Sequence, residues 1–101
     1  MRISTRVVNG RAVIELQGRL DYSAFRAFRS TCAGPLMASD VAELELNLER
    51  VEHLDRSALG MLVLLKARAD ESRKRLILTN CRGPVKQALE RARFDRLLAV
   101  A

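Results

Sequence analysis

The stretch VAELELNLE, residues 41–49, alternates apolar and polar side chains, and shortly after it ALGMLVLL, residues 58–65, is apolar almost throughout. A period of two sets Leu44, Leu46 and Leu48 on one side of a strand, with Glu43, Glu45, Asn47 and Glu49 on the other. The later run is about half of what a membrane span needs. Its members Ala58, Met61, Leu62 and Leu65 fall on one stripe of a helix. A half-buried strand that feeds an apolar helix is the first half of a strand–helix–strand crossover, so it commits the chain to a layered α/β arrangement. Between strand and helix lies LDRSALG, residues 54–60, whose one hydroxyl belongs to Ser57.

The rest of the chain fits around that unit. ISTRVV and AVIELQ read as short strands joined at Asn9-Gly10, a strong two-residue hairpin signal. In GRLDYSAFRAFRSTC the period changes: Ala24, Phe25, Phe28, Cys32 and Leu36 recur at helical spacing, and Asp21 or Ser23 is placed to cap the start. Gly34-Pro35 leaves the end of that helix open. RLILT is a fourth strand, and GPVKQALERA a third helix, with Pro84 in its first turn and Val85, Ala88, Leu89 and Ala92 on one stripe. The tail FDRLLAV suits a last short strand or a helix. The expectation is a mixed, mostly parallel sheet of four or five strands in the order β-β-α-β-α-β-α, with helices packed on it and the opening hairpin antiparallel at one side. We find no internal repeat, linker or low-complexity segment, and 101 residues suffice for one domain, residues 1–101.

Charge narrows the function classes. The net charge is +6, and the excess belongs to the second half, where eleven Lys/Arg face six Asp/Glu. A basic bias suits nucleic acid, an anionic membrane or an acidic protein partner. Here the arginines are scattered among acids, as in KARADESRKR, with no aromatic-studded platform and no basic tail, so direct nucleic-acid binding is not expected. Cys32 and Cys81 have no partner at metal-ligand spacing and read as buried free thiols of a reducing cytoplasm. The first ten residues have no apolar signal region, and no membrane insertion is expected.

Reactive groups are few. The single histidine, His53, stands close to Asp55 and Ser57, yet the GxSxG elbow and an oxyanion loop are absent, so it reads as a loop or packing residue. No glycine-rich phosphate cradle follows any strand, so neither an enzyme nor a bound cofactor is expected. Ser57 itself has a plain structural role open to it: a serine just ahead of an apolar helix is a typical N-cap, worth about 1 kcal/mol. Two features argue for more. The following helix is apolar over too wide an arc, with Leu59, Gly60 and Val63 off the centre of the buried stripe, which suits a partner surface. The loop also sits at the C-terminal end of a parallel strand, where α/β sheets present ligands and partners.

The ordered set of segments AVIELQGRLDYSAF, AELELNLERVEHLDRSALGMLVLLKARA and RLILTNCRGPVKQALERARFDRLL resembles the STAS domain, best known in anti-sigma factor antagonists. In that family the loop reads roughly Asp-Ser-[Ser/Thr]-Gly-Leu-Gly. The resemblance implies partner switching. The unphosphorylated protein binds a GHKL-type serine kinase that is also the anti-sigma factor, phosphorylation of the loop releases it, and a PP2C-type phosphatase resets the cycle. Carried over by position, Ser57 is the phosphoacceptor, Asp55 the loop aspartate, Leu59 and Gly60 the helix opening, and Asp21 the aspartate before the first helix, near the partner surface. Arg56, Ala58, Met61 and Val63 complete the expected partner-binding set. Arg56 replaces the usual first hydroxyl, which alters what a kinase sees, and Ala58 replaces the usual glycine, which stiffens the turn. The alternative is a constitutive STAS subunit of a lipid-transport ATPase, with Ser57 only a cap and the helix patch a permanent interface.

Overall fold

The structure, a computed structural model, describes residues 1–94 in full and residues 99–100 as backbone. Its elements are β1 (Arg2–Val8), β2 (Arg11–Leu20), a 3-10 turn (Tyr22–Ala24), α1 (Phe25–Met37), β3 (Glu43–Leu54), α2 (Arg56–Glu71), β4 (Arg75–Thr79), α3 (Gly83–Arg91) and β5 (Ala99–Val100). The strands form one sheet in the order β1-β2-β3-β4-β5, antiparallel at β1/β2 and parallel thereafter. The α/β order, the antiparallel hairpin at one side and the parallel remainder are those the periodicities predict. Of the tail, residues 99–100 extend the sheet beside β4, and residues 95–98 lie outside the described residues.

The hairpin turn has positive φ at both central residues, 50° at Asn9 and 79° at Gly10, the geometry whose twist matches two paired strands. Alternation then sorts each central strand. Ala12, Ile14 and Leu16 of β2, Leu44, Leu46 and Leu48 of β3, and Leu76 and Leu78 of β4 are buried in one cluster with Phe28, Cys32, Leu62, Leu65, Val85 and Leu89 from the helices. Each such leucine contributes about 1.5–3 kcal/mol through burial. The helices therefore cover one face of the sheet. The other face is mainly polar: Arg11 bridges Glu43 and Glu45 and the Thr79 hydroxyl donates to Glu45, with Val13 and Ile77 beside them.

Three boundaries differ from the sequence reading. First, β3 does not stop before a loop at His53: it runs to Leu54, which pairs with Leu20. Register slips twice on the way, between Glu15 and Gln17 and between Gly18 and Arg19 of β2, and each time β3 carries one extra residue. These bulges change the buried positions from every second residue to Leu48, Val51 and Leu54. Gly18 sits at the kink with φ 109°, a conformation closed to other residues without strain. Second, α1 passes through Gly34-Pro35 and ends at Met37. Its last carbonyls are satisfied from outside, because the Lys74 ammonium donates to the carbonyls of Pro35 (2.9 Å) and Ala38. Third, α2 opens at Arg56, ahead of the apolar run.

Candidate partner-binding site

The extended β3 and the pairing of Leu20 with Leu54 bring the ends of β2 and β3 level. The Asp55 N–H donates to the Leu20 carbonyl at 3.4 Å, which ties the start of α2 to the chain that enters α1. Asp21 and Asp55 therefore stand at the C-terminal ends of neighbouring parallel strands. Each opens a helical segment: Asp21 accepts from the Ser23 N–H at 3.0 Å, and Asp55 from the Ala58 N–H at 2.9 Å.

The N-cap of α2 is thus Asp55, and the structural role open to Ser57 is already filled. Ser57 lies inside the first turn, half-buried, and its hydroxyl donates to the Asp55 carboxylate at 2.7 Å. That bond and the one from Ala58 hold the Asp55 carboxyl below the usual carboxylate range, with the nearby His53 adding to the effect. The two donors keep a negative charge fixed beside Ser57. The carboxylate aligns the hydroxyl and is the nearest group to feel any charge added to it.

The residues after Ser57 divide by direction. Ala58 (0 % exposed) and Met61 (5 %) face the core, so both leave the expected partner-binding set; they support the turn from beneath. Arg56 and Gly60 are exposed, Leu59 is half-buried, and Val63 is 47 % exposed. Leu64, at 40 %, and Ala67 are outward too, and sequence reasoning missed both. Gly60, Val63, Leu64 and Ala67 make an outward stripe with helical spacing, visible in the sequence once Leu64 is separated from the buried stripe. A Cβ at Gly60 would meet nothing within 4 Å, so packing within this chain does not require glycine there. A shallow hollow of about 330 Å³ lies between the start of α2 and the end of α3, lined among others by Asp55, Arg56, Leu59 and Arg91. Of the thiols, Cys32 is buried and Cys81 only half-buried, against the expectation of two buried ones.

A sequence profile described as "Mlab, STAS domain" matches residues 3–99. The chain belongs to the STAS domain family. A STAS-domain containing protein of Pseudomonas aeruginosa is 33 % identical over 88 residues, 87 % of this chain and 85 % of the relative. Among solved structures, an anti-sigma-factor antagonist (STAS) domain protein from Planctomyces limnophilus superposes with a TM-score of 0.83 at 18 % identity, over 98 % of this chain and 87 % of that one. The Bacillus cell fate determinant SpoIIAA in its phosphorylated form gives 0.74 at 21 % identity, over 99 % and 91 % of the chains. At such identities the likeness is one of fold. This STAS domain keeps the sheet order and helix placement of the family. Among its described residues no helix is long and apolar enough to cross a membrane.

Proposed function

We propose that this STAS domain is a protein-binding switch of the anti-sigma factor antagonist type, acting in the cytoplasm and not as an enzyme. Unphosphorylated, it docks through the α2 stripe and the Asp21–Asp55 end of the sheet onto a GHKL-type serine kinase that serves as anti-sigma factor. Phosphorylation at Ser57 releases the complex, and a PP2C-type phosphatase restores the first state. One observation carries the reading: the Ser57 hydroxyl is spared from capping and stands beside an outward apolar stripe.

The physical basis is charge in a dry contact. A phosphate adds about −1.5 to −2 charge at neutral pH. In the free protein, water, the first-turn amides of α2 and the neighbouring Arg56 receive it. Pressed into an apolar interface next to the Asp55 carboxylate, the same dianion loses its water, at a cost of several kcal/mol per uncompensated charge. Each 1.4 kcal/mol is tenfold in affinity, so part of that cost dissociates a micromolar complex without any large rearrangement.

The test is incubation with the cognate kinase and ATP, followed by mapping of the phosphate and size-exclusion analysis of the complex. Phosphate at Ser57, retained binding by Ser57→Ala and binding weakened at least roughly tenfold by Ser57→Asp are the expected results. A second reading draws on the half-buried, bonded state of Ser57: a constitutive subunit of a lipid-transport ATPase, with the α2 stripe permanently covered. Stable co-purification with an ATPase, unchanged by Ser57→Asp, selects that one.

A further inference from the structure

The frame around Ser57 occurs twice. Leu20-Asp21-Tyr22-Ser23-Ala24-Phe25 and Leu54-Asp55-Arg56-Ser57-Ala58-Leu59 share Leu-Asp-x-Ser-Ala followed by a large apolar residue. The expectation of no internal repeat overlooked this short pair, which the fold sets side by side through the pairing of Leu20 with Leu54. In both copies the aspartate accepts from the serine hydroxyl, Ser23 to Asp21 and Ser57 to Asp55. In both copies the alanine is buried. They differ in access: Ser23 is exposed, whereas Ser57 is half-buried.

Such a start is ordinary capping chemistry taken alone. The surroundings of Ser23 are what point to a ligand. Ser23 lines an open groove of about 800 Å³ together with Arg26, Arg29 and Arg68, and no acidic side chain lines it. Among the described residues these three guanidinium groups take part in no ion pair. A phosphate on a serine beside unpaired arginines gains charge-assisted hydrogen bonds, and the three guanidinium groups outnumber the one Asp21 carboxylate that accepts from the Ser23 hydroxyl.

We propose that Ser23 is a second phosphoacceptor, its phosphate held in the groove of Arg26, Arg29 and Arg68. The inference rests on the Ser57 reading to this extent, that an enzyme which recognises Leu-Asp-x-Ser-Ala reads both copies. In the transfer the Ser23 oxygen bonds to the γ-phosphorus of ATP, the bond from that phosphorus to the bridging oxygen breaks, ADP leaves, and the hydroxyl proton is released to solvent. Asp21 loses the hydroxyl donor but keeps the Ser23 N–H. The dianion turns a basic groove at the α1 end of the site close to neutral, so the two serines alter adjoining parts of one surface.

Phosphopeptide mapping of the protein isolated from its own cells, through growth and starvation, tests this together with Ser23→Ala and Ser57→Ala. Phosphate at Ser23 that persists in Ser57→Ala and vanishes in Ser23→Ala is expected. Phosphate at Ser57 with Ser23 bare overturns the inference and leaves the Ser57 reading standing; phosphate at Ser23 alone does the reverse. Neither serine modified removes both. The groove has its own readout: phosphoserine installed at position 23 is followed by phosphorus NMR against pH. Its second ionisation is expected below the ordinary value of about 6 and back at it in the Arg26→Gln/Arg29→Gln variant. An ordinary value in the unsubstituted groove overturns the arginine assignment.

Discussion

At position 55 a single carboxylate oxygen takes two donors, the Ser57 hydroxyl at 2.7 Å and the Ala58 N–H at 2.9 Å. The folded state therefore favours the ionised form, and the sign of the pH effect follows. The stabilisation is fully present above the unfolded-state value of about 3.9 and is lost as pH falls through the lower folded value. Asp55→Ala is expected to cost about 1 kcal/mol in thermal or urea unfolding at neutral pH. Asp55→Asn, itself a good cap, keeps stability within a few tenths of a kcal/mol near pH 7 but flattens the acid limb below about pH 4. Equal acid sensitivity in the two proteins would remove Asp55 from the account. Residue type gave the cap to Ser57, a serine just ahead of an apolar run, but the structure gives it to Asp55. The cap depends on where the first helical φ/ψ falls, and β3 sets this by running on to Leu54.

At the scale of elements, α2 has two faces with separate duties. The inward face, Ala58, Met61, Leu62, Leu65 and Ala69, closes the core, and the outward stripe is free to dock. Val63→Ser with Leu64→Ser is expected to change unfolding free energy by no more than about 0.5 kcal/mol per site. The same pair is expected to weaken the partner complex by roughly tenfold or more, read by calorimetry or size exclusion. Gly60→Ala should raise stability by roughly 0.5–1 kcal/mol, because a helical glycine with free space around its Cα costs that much relative to alanine. A loss of partner affinity in this more stable variant would show that a partner approaches the backbone there. The bulges are the second element-scale feature. Gly18→Ala forces a Cβ onto φ 109° and is expected to destabilise by about 1–3 kcal/mol, with hydrogen exchange quickened in β2 and the neighbouring part of β3. Strict alternation over residues 41–49 made the first half of β3 plain from sequence. The second half, ERVEHL, has the period of a bulged strand, a pattern that alternation does not describe.

For the whole molecule, the core is one largely aliphatic cluster under one face of the sheet, and its cysteine reports on it. Burial pushes the Cys32 thiol up to about 12, so almost no thiolate is present at neutral pH in the folded protein. Cys81 is raised by burial as well, with Lys86 pulling it back. A thiol reagent near pH 8 is expected to modify Cys81 first and Cys32 only at the rate of opening of the core, a rate that rises in step with urea. Modification of Cys32 as fast as Cys81 would mean that α1 separates from the sheet well before global unfolding. At this scale the α/β class, the hairpin, the three helices and the sidedness of the first half of β3 were legible in the sequence, because hydrophobic period and turn chemistry are local properties of a few neighbouring residues. It took the folded chain to show that Asp55 caps α2, that Leu64 joins the outward stripe, and that two like serine frames stand next to each other. Those facts depend on strand register and on how α2 packs, which are fixed by contacts between residues far apart in the chain and cannot be read from either partner alone.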